Sequence, residues 1–82
     1  MQAIINVQLK QGVLDPQGLA TEQALKALGF DQIKGVRIGK QIKLDLDASD
    51  LATAQQMVKD MCAKLLVNGV VESYEFEVIE AA

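Results

Sequence analysis

The sequence predicts an α+β domain of order β-α-β-β-α-β, with two helices on one face of an antiparallel sheet. Three observations carry that prediction. Apolar residues alternate near both ends of the chain, a helix with explicit start and stop signals follows the first alternating stretch, and a second amphipathic stretch precedes the last. With 82 residues and no Pro/Ser-rich linker or low-complexity tract, the whole chain, 1–82, reads as one domain.

The first strand runs from Ala3 to Lys10, with Ile5, Val7 and Leu9 on one face and Asn6, Gln8 and Lys10 on the other. Gly12 permits a sharp exit from it, because glycine tolerates backbone angles that a Cβ forbids. Asp15 is the N-cap candidate, and Pro16 falls at the first helical position, where its missing N–H costs nothing. Leu14 and Leu19 would flank this cap as a hydrophobic staple. Leu19, Ala20, Ala24, Leu25, Ala27 and Leu28 follow at helical spacing. Gly29 then ends the helix, with Phe30 folding back on Leu25.

From Ile33 to Asp47 the pattern reads as a hairpin. Val36 and Ile38 alternate first, then Ile42, Leu44 and Leu46, with Gly39-Lys40 as a type II′ turn between them. Ser49 or Asp47 caps the second helix, whose stripe is Leu51, Ala54, Val58, Met61 and Leu65, widened by Met57, Cys62 and Leu66. Asn68-Gly69 stops it through tolerance of left-handed angles. The last strand, Val70 to Ile79, turns Tyr74, Phe76 and Val78 one way and Glu75 and Glu77 the other. This order predicts a ferredoxin-like two-layer sandwich or a relative of it. Ile4, Ile33, Val71 and Ile79 fall on the face away from the helices. A solvated face carries few such residues, so the sheet is expected to be covered by, or extended into, another subunit.

Composition excludes several classes of function. A net charge of −3 opposes a nucleic-acid partner, whose phosphates require a positive field. No apolar run approaches the ~20 residues of a membrane span, and a cytoplasmic protein is expected. One cysteine and no histidine leave no internal disulfide, no zinc finger and no conventional base for a nucleophile. Cys62 reads as a small buried hydrophobe, and Asp45 with Asp47 lacks a third ligand for a metal. No catalytic, cofactor-binding or metal-binding residue is therefore assigned. The helix start at Asp15 could hold an anion on its amides, but capping by that carboxylate explains it more simply.

Charge is uneven along the chain. Lys34, Arg37, Lys40 and Lys43 gather on the predicted hairpin, and Glu72, Glu75, Glu77 and Glu80 on the last strand. These are either two solvated faces or complementary surfaces that orient one subunit against another. Arg37, between Gly35 and Gly39, is placed to fork a partner's carboxylate.

Several motifs exceed what folding requires. Leu9-Lys10-x-Gly12-Val13-Leu14-Asp15-Pro16-Gln17-Gly18, Ala24-Leu25-x-x-Leu28-Gly29-Phe30 and Val36-Arg37-x-Gly39-Lys40 resemble the PurS small subunit of phosphoribosylformylglycinamidine (FGAM) synthase. So do Met61-Cys62-x-Lys64-Leu65-Leu66-x-Asn68 and Glu72-x-Tyr74. The similarity spans nearly the whole chain; Gly69 stands where the family commonly has proline.

The resemblance implies a non-catalytic subunit in purine biosynthesis that forms homodimers or tetramers. It would bridge the synthetase (PurL-type) and glutaminase (PurQ-type) subunits and assist ammonia transfer. ATP and Mg would be used by the synthetase, with no cofactor on this chain. On the matching motifs, the expected partner interface is Asp15, Gln17, Gly18, Arg37, Gly39, Lys40, Asn68, Glu72 and Tyr74. The alternative is an ACT-like regulatory module, which shares the element order and binds a small amino acid at a dimer interface. An RNA-binding sheet is opposed by the glutamates around Tyr74 and Phe76.

Overall fold

The alternation of Ala3, Ile5 and Val7 builds a central strand, β1 (Gln2–Leu9), because those three side chains are buried together on one face. The computed structural model describes residues 1–80. In it β1 is flanked by β2 (Lys40–Asp45) and β3 (Glu72–Ile79), both antiparallel to it, in the order β2-β1-β3. Ile5 lies between Ile42 and Phe76, and Ala3 between Leu44 and Val78. Helix α2 (Leu51–Met61) and the π-helical turn Cys62–Leu66 cover this face, with Val58 and Cys62 fully buried against it. The α+β class and the antiparallel sheet stand as predicted.

The predicted hairpin does not form. Residues 33–39 are extended but belong to no strand, and neither turn nor bend interrupts the chain from 33 to 45. A type II′ turn needs a positive φ at its glycine, whereas Gly12 and Gly29 are the glycines that adopt one. The chain therefore runs straight through Gly39-Lys40, and the sheet has three strands.

Helix α1 (Pro16–Ala27) is also displaced from its expected place. It buries Gly18 alone and makes no packing against the sheet or α2 comparable to that of α2. Together with residues 33–39 it forms an arm beyond the end of the sheet. A compact chain of this length would have a radius of gyration of about 12 Å; the observed value is 16.4 Å, and the molecule extends over 51 Å.

Local signals at the ends of α1 hold. Its C-terminus has the predicted Schellman geometry, with Gly29 at φ 101°, Phe30 N–H donating to the Leu25 carbonyl at 3.1 Å and Gly29 N–H to Lys26 at 3.0 Å. Other details differ. Asp50, not Ser49 or Asp47, caps α2, accepting from the Thr53 amide at 2.7 Å. The buried stripe is Ala54, Val58 and Cys62, while Leu51 and Leu65 stay exposed. The π-turn adds a residue to its coil and carries Leu65 off the core face. It stops without a left-handed residue: the Asn68 side chain accepts from Val70 N–H at 3.1 Å, and Gly69 has no positive φ.

The face away from α2 is more polar than predicted. Ile4 sits there between Lys43 and Glu77, and Ile79 opposite Gln2, both as predicted, but the rows between Ile4 and the far end are Gln41–Asn6–Glu75 and Gln8–Ser73. Ile33 lies off the sheet entirely.

Candidate functional site

Where β1 ends, the chain makes a turn in which Val13 N–H donates to the Lys10 carbonyl at 3.1 Å, with Gly12 at φ 88°. It then enters α1 through Asp15, whose Oδ1 accepts from the Gly18 amide at 2.7 Å, the predicted cap. The other oxygen is also occupied. Oδ2 accepts from the Ile38 backbone amide at 2.8 Å, tying the helix start to the extended segment twenty-three residues later. Hydrogen bonds from Ile38 and then Gly18 hold the Asp15 carboxyl below its ordinary pKa, with the Arg37 charge adding to them against the opposing cost of burial.

Arg37 lies over the same turn. Its Nη1 donates to the Val13 carbonyl at 3.0 Å and its Nη2 to those of Lys10 at 3.1 Å and Leu9 at 3.4 Å, while Nε sits 3.9 Å from Asp15. The guanidinium thus closes the end of β1 within its own chain. The glycines are fixed by the same crossing. A Cβ on Gly18 would collide with the Val36 carbonyl, and one on Gly39 would stand 2.6 Å from that of Val7.

At this junction lies a cleft of about 290 Å³ lined by Val7, Gln8, Leu9, Asp15, Pro16, Gln17, Ile38, Gly39, Lys40 and Glu72. Lys40 and Glu72 face each other at 3.9 Å across its rim. Asn68 adjoins it through Glu72, which accepts from the Asn68 amide at 2.7 Å and whose own amide donates back to the Asn68 carbonyl at 2.7 Å. Tyr74 lies two residues along β3, its ring 6.3 Å from that of Phe76 and nearly parallel to it. Five of the nine residues named from the motifs therefore line the cleft, and Gly18, Arg37 and Asn68 bond or abut its walls. Asp15, Gly18, Arg37 and Gly39 are engaged in holding the arm; Gln17 and Lys40 are exposed at the rim.

A second feature, not anticipated from sequence, is an apolar groove of about 430 Å³ between β2 and α2, lined by Leu44, Met57, Asp60, Met61, Lys64, Leu65 and Leu66. The exposure of Leu65 depends on the π-turn, which no periodicity announces. Among the described residues no group of three or more His, Cys, Asp or Glu is placed to hold a metal. Cys62 is buried, which pushes its thiol pKa up. No helix among the described residues is long and apolar enough to cross a membrane.

These features define a small α+β chain that carries a polar cleft at one sheet end and an apolar groove beside α2. The family model of PurS, phosphoribosylformylglycinamidine (FGAM) synthase, matches residues 2–80. The Synechocystis PurS subunit is 50% identical over 90% of this chain and 74% of its own length. The solved structure of Methanocaldococcus jannaschii PurS, a subunit of an amidotransferase of the purine biosynthetic pathway, superposes with a TM-score of 0.89 at 34% identity, covering 99% and 98% of the two chains. A chain of the Thermotoga maritima PurLQS structure superposes at 0.85 with 38% identity and 93% coverage of both. The chain belongs to the PurS family of FGAM synthase subunits. That match takes the place of the ACT-like alternative.

Proposed function

We propose that this chain is the non-catalytic small subunit of an FGAM synthase, self-associating and bridging a PurL-type synthetase and a PurQ-type glutaminase while ammonia passes between them. The gathering of the motif residues around one cleft carries this reading. Asp15 and Arg37 set the arm, and the rim residues Gln17, Lys40 and Glu72 offer an amide, a cation and an anion in a row to a docking surface. Charges presented this way at a rim set orientation and association rate more than raw affinity. ATP and Mg belong to the synthetase in this scheme, with no cofactor on this chain, and the complex works in the cytoplasm.

Reversing one rim charge tests it. Lys40→Glu places two carboxylates across the cleft without touching the core. Mixed with synthetase, glutaminase, glutamine and ATP, this variant should assemble less completely by size exclusion with light scattering. Glutamine-dependent turnover should drop while turnover on free ammonia is retained. Unchanged assembly and unchanged glutamine-dependent activity would remove the cleft from the mechanism.

A further inference from the structure

The turn between the π-turn and β3 holds Asn68-Gly69, where the family commonly has proline after the asparagine. Glycine restores a main-chain N–H that proline lacks. Both residues are exposed, nothing lies within 4 Å of where a Gly69 Cβ would stand, and the Gly69 N–H donates no hydrogen bond among the described residues. That nitrogen is therefore free to attack the carboxamide carbon of the side chain before it, closing a succinimide ring.

The contacts around the pair favour that attack. The Asn68 carbonyl, the other end of the Gly69 peptide group, accepts from Glu72 N–H at 2.7 Å and Val71 N–H at 3.2 Å. Donors on that oxygen stabilise the deprotonated peptide group, whose charge is delocalised onto it. Lys10 Nζ, on the Gly69 carbonyl at 2.7 Å, adds a cation beside the same peptide. Val70 N–H donates to Asn68 Oδ1 at 3.1 Å, which folds the carboxamide over the turn and holds a donor where negative charge develops as the ring closes. The Glu72 carboxylate, which accepts from Asn68 N–H at 2.7 Å, is the opposing charge.

We propose that Asn68-Gly69 is a self-modifying site, where the fold accelerates conversion of the asparagine to aspartate and isoaspartate with water as co-reactant. Gly69 N gives its proton to solvent and bonds to Asn68 Cγ. The Cγ–Nδ2 bond breaks, and ammonia leaves with a proton taken from solvent. Water then opens the ring at either carbonyl. One water is consumed, one ammonia is released, nothing is oxidised or reduced, and the chain gains one negative charge. In the isoaspartyl product the main chain runs through the former side chain, so the acceptor shared by Val71 and Glu72 is displaced. Glu72 lines the cleft, and the change reaches its rim.

The full chain, held for days in neutral buffer, is compared with a synthetic peptide of residues 66–72. Peptide mapping with fragmentation that separates isoaspartate from aspartate follows both. The folded chain should convert roughly tenfold faster, the effect of a one-unit fall in the pKa of the attacking amide. Lys10→Gln should slow it toward the rate of the peptide. Gly69→Pro, which removes the attacking N–H, should abolish conversion; if that variant fails to fold, Gly69→Ala has room for its methyl and should convert more slowly than the parent. Converted chain, separated by anion exchange, should exchange the Val71 and Glu72 amide hydrogens faster. Asn68 intact in the folded chain, or converting there no faster than in the peptide, overturns the proposal. Aspartate without isoaspartate, the mark of direct hydrolysis, overturns the ring closure, and unchanged exchange at Val71 and Glu72 overturns the effect on the start of β3.

Discussion

The carboxylate of Asp15 accepts two backbone amides at once, that of Gly18 at 2.7 Å and that of Ile38 at 2.8 Å. The first is a helix cap; the second fixes where the chain lies after the helix has ended. One side chain thereby sets both the start of α1 and the angle of the arm.

Asp15→Asn keeps one acceptor oxygen but loses the charge and the second acceptor. The variant should fold, melt at a lower temperature and hold the arm less firmly, read as faster hydrogen exchange at Ile38. In the parent chain the folded carboxyl lies below its ordinary 3.8. Its contribution to stability is therefore complete above that value and fades as pH falls through the folded pKa. Denaturant melts over that acid range should converge for the two proteins as pH drops. Parallel curves at all pH values would show that the charge is not involved.

Two glycine substitutions separate close approach from chain entropy. Gly39→Ala drives a Cβ to 2.6 Å from the Val7 carbonyl and should cost about 1–3 kcal/mol as overpacking. Gly69→Ala meets nothing within 4 Å and needs no left-handed φ. It should be neutral or stabilise by about 0.4–1 kcal/mol through the unfolded chain. Urea titrations rank the two directly, and the reverse order would contradict the crossing at Gly39.

Val58→Ala empties space in the α2 layer that covers the sheet and should cost about 2 kcal/mol. For a domain of this size, whose whole stability is of order 4–12 kcal/mol, that is a large share. The melting midpoint should fall accordingly, whereas Leu65→Ala, at a position 84% exposed, should move it little.

Cys62 offers a probe of opening. Burial keeps its thiol protonated and out of reach, so an aromatic disulfide reagent should label it only as fast as the α2 layer lifts from the sheet. Labelling as rapid as that of a free thiol in native buffer would contradict the packing of the π-turn.

The parts of this protein legible in its sequence are those fixed by neighbours in the chain. Asp15-Pro16 and Gly29-Phe30 bound α1 because caps act over three to five residues, and the alternation of Ile5, Val7 and Leu9 marks a strand, of which Ile5 and Val7 prove buried and Leu9 only partly so. Much of the cleft was legible too, since Gly18, Gly39 and Lys40 carry motifs that helix and strand formation alone do not require. Tertiary structure decided the rest. Whether Gly39-Lys40 turns or runs straight depends on the crossing with Val7 and on the latch from Asp15 and Arg37, contacts between residues far apart in sequence. The same crossing also engages Arg37, an expected interface residue, in a clamp within its own chain, holds α1 away from the sheet and leaves the β2 edge open. Local pattern sets which segments are helix or strand; where a segment lies is settled by long-range contacts that leave no period in the sequence.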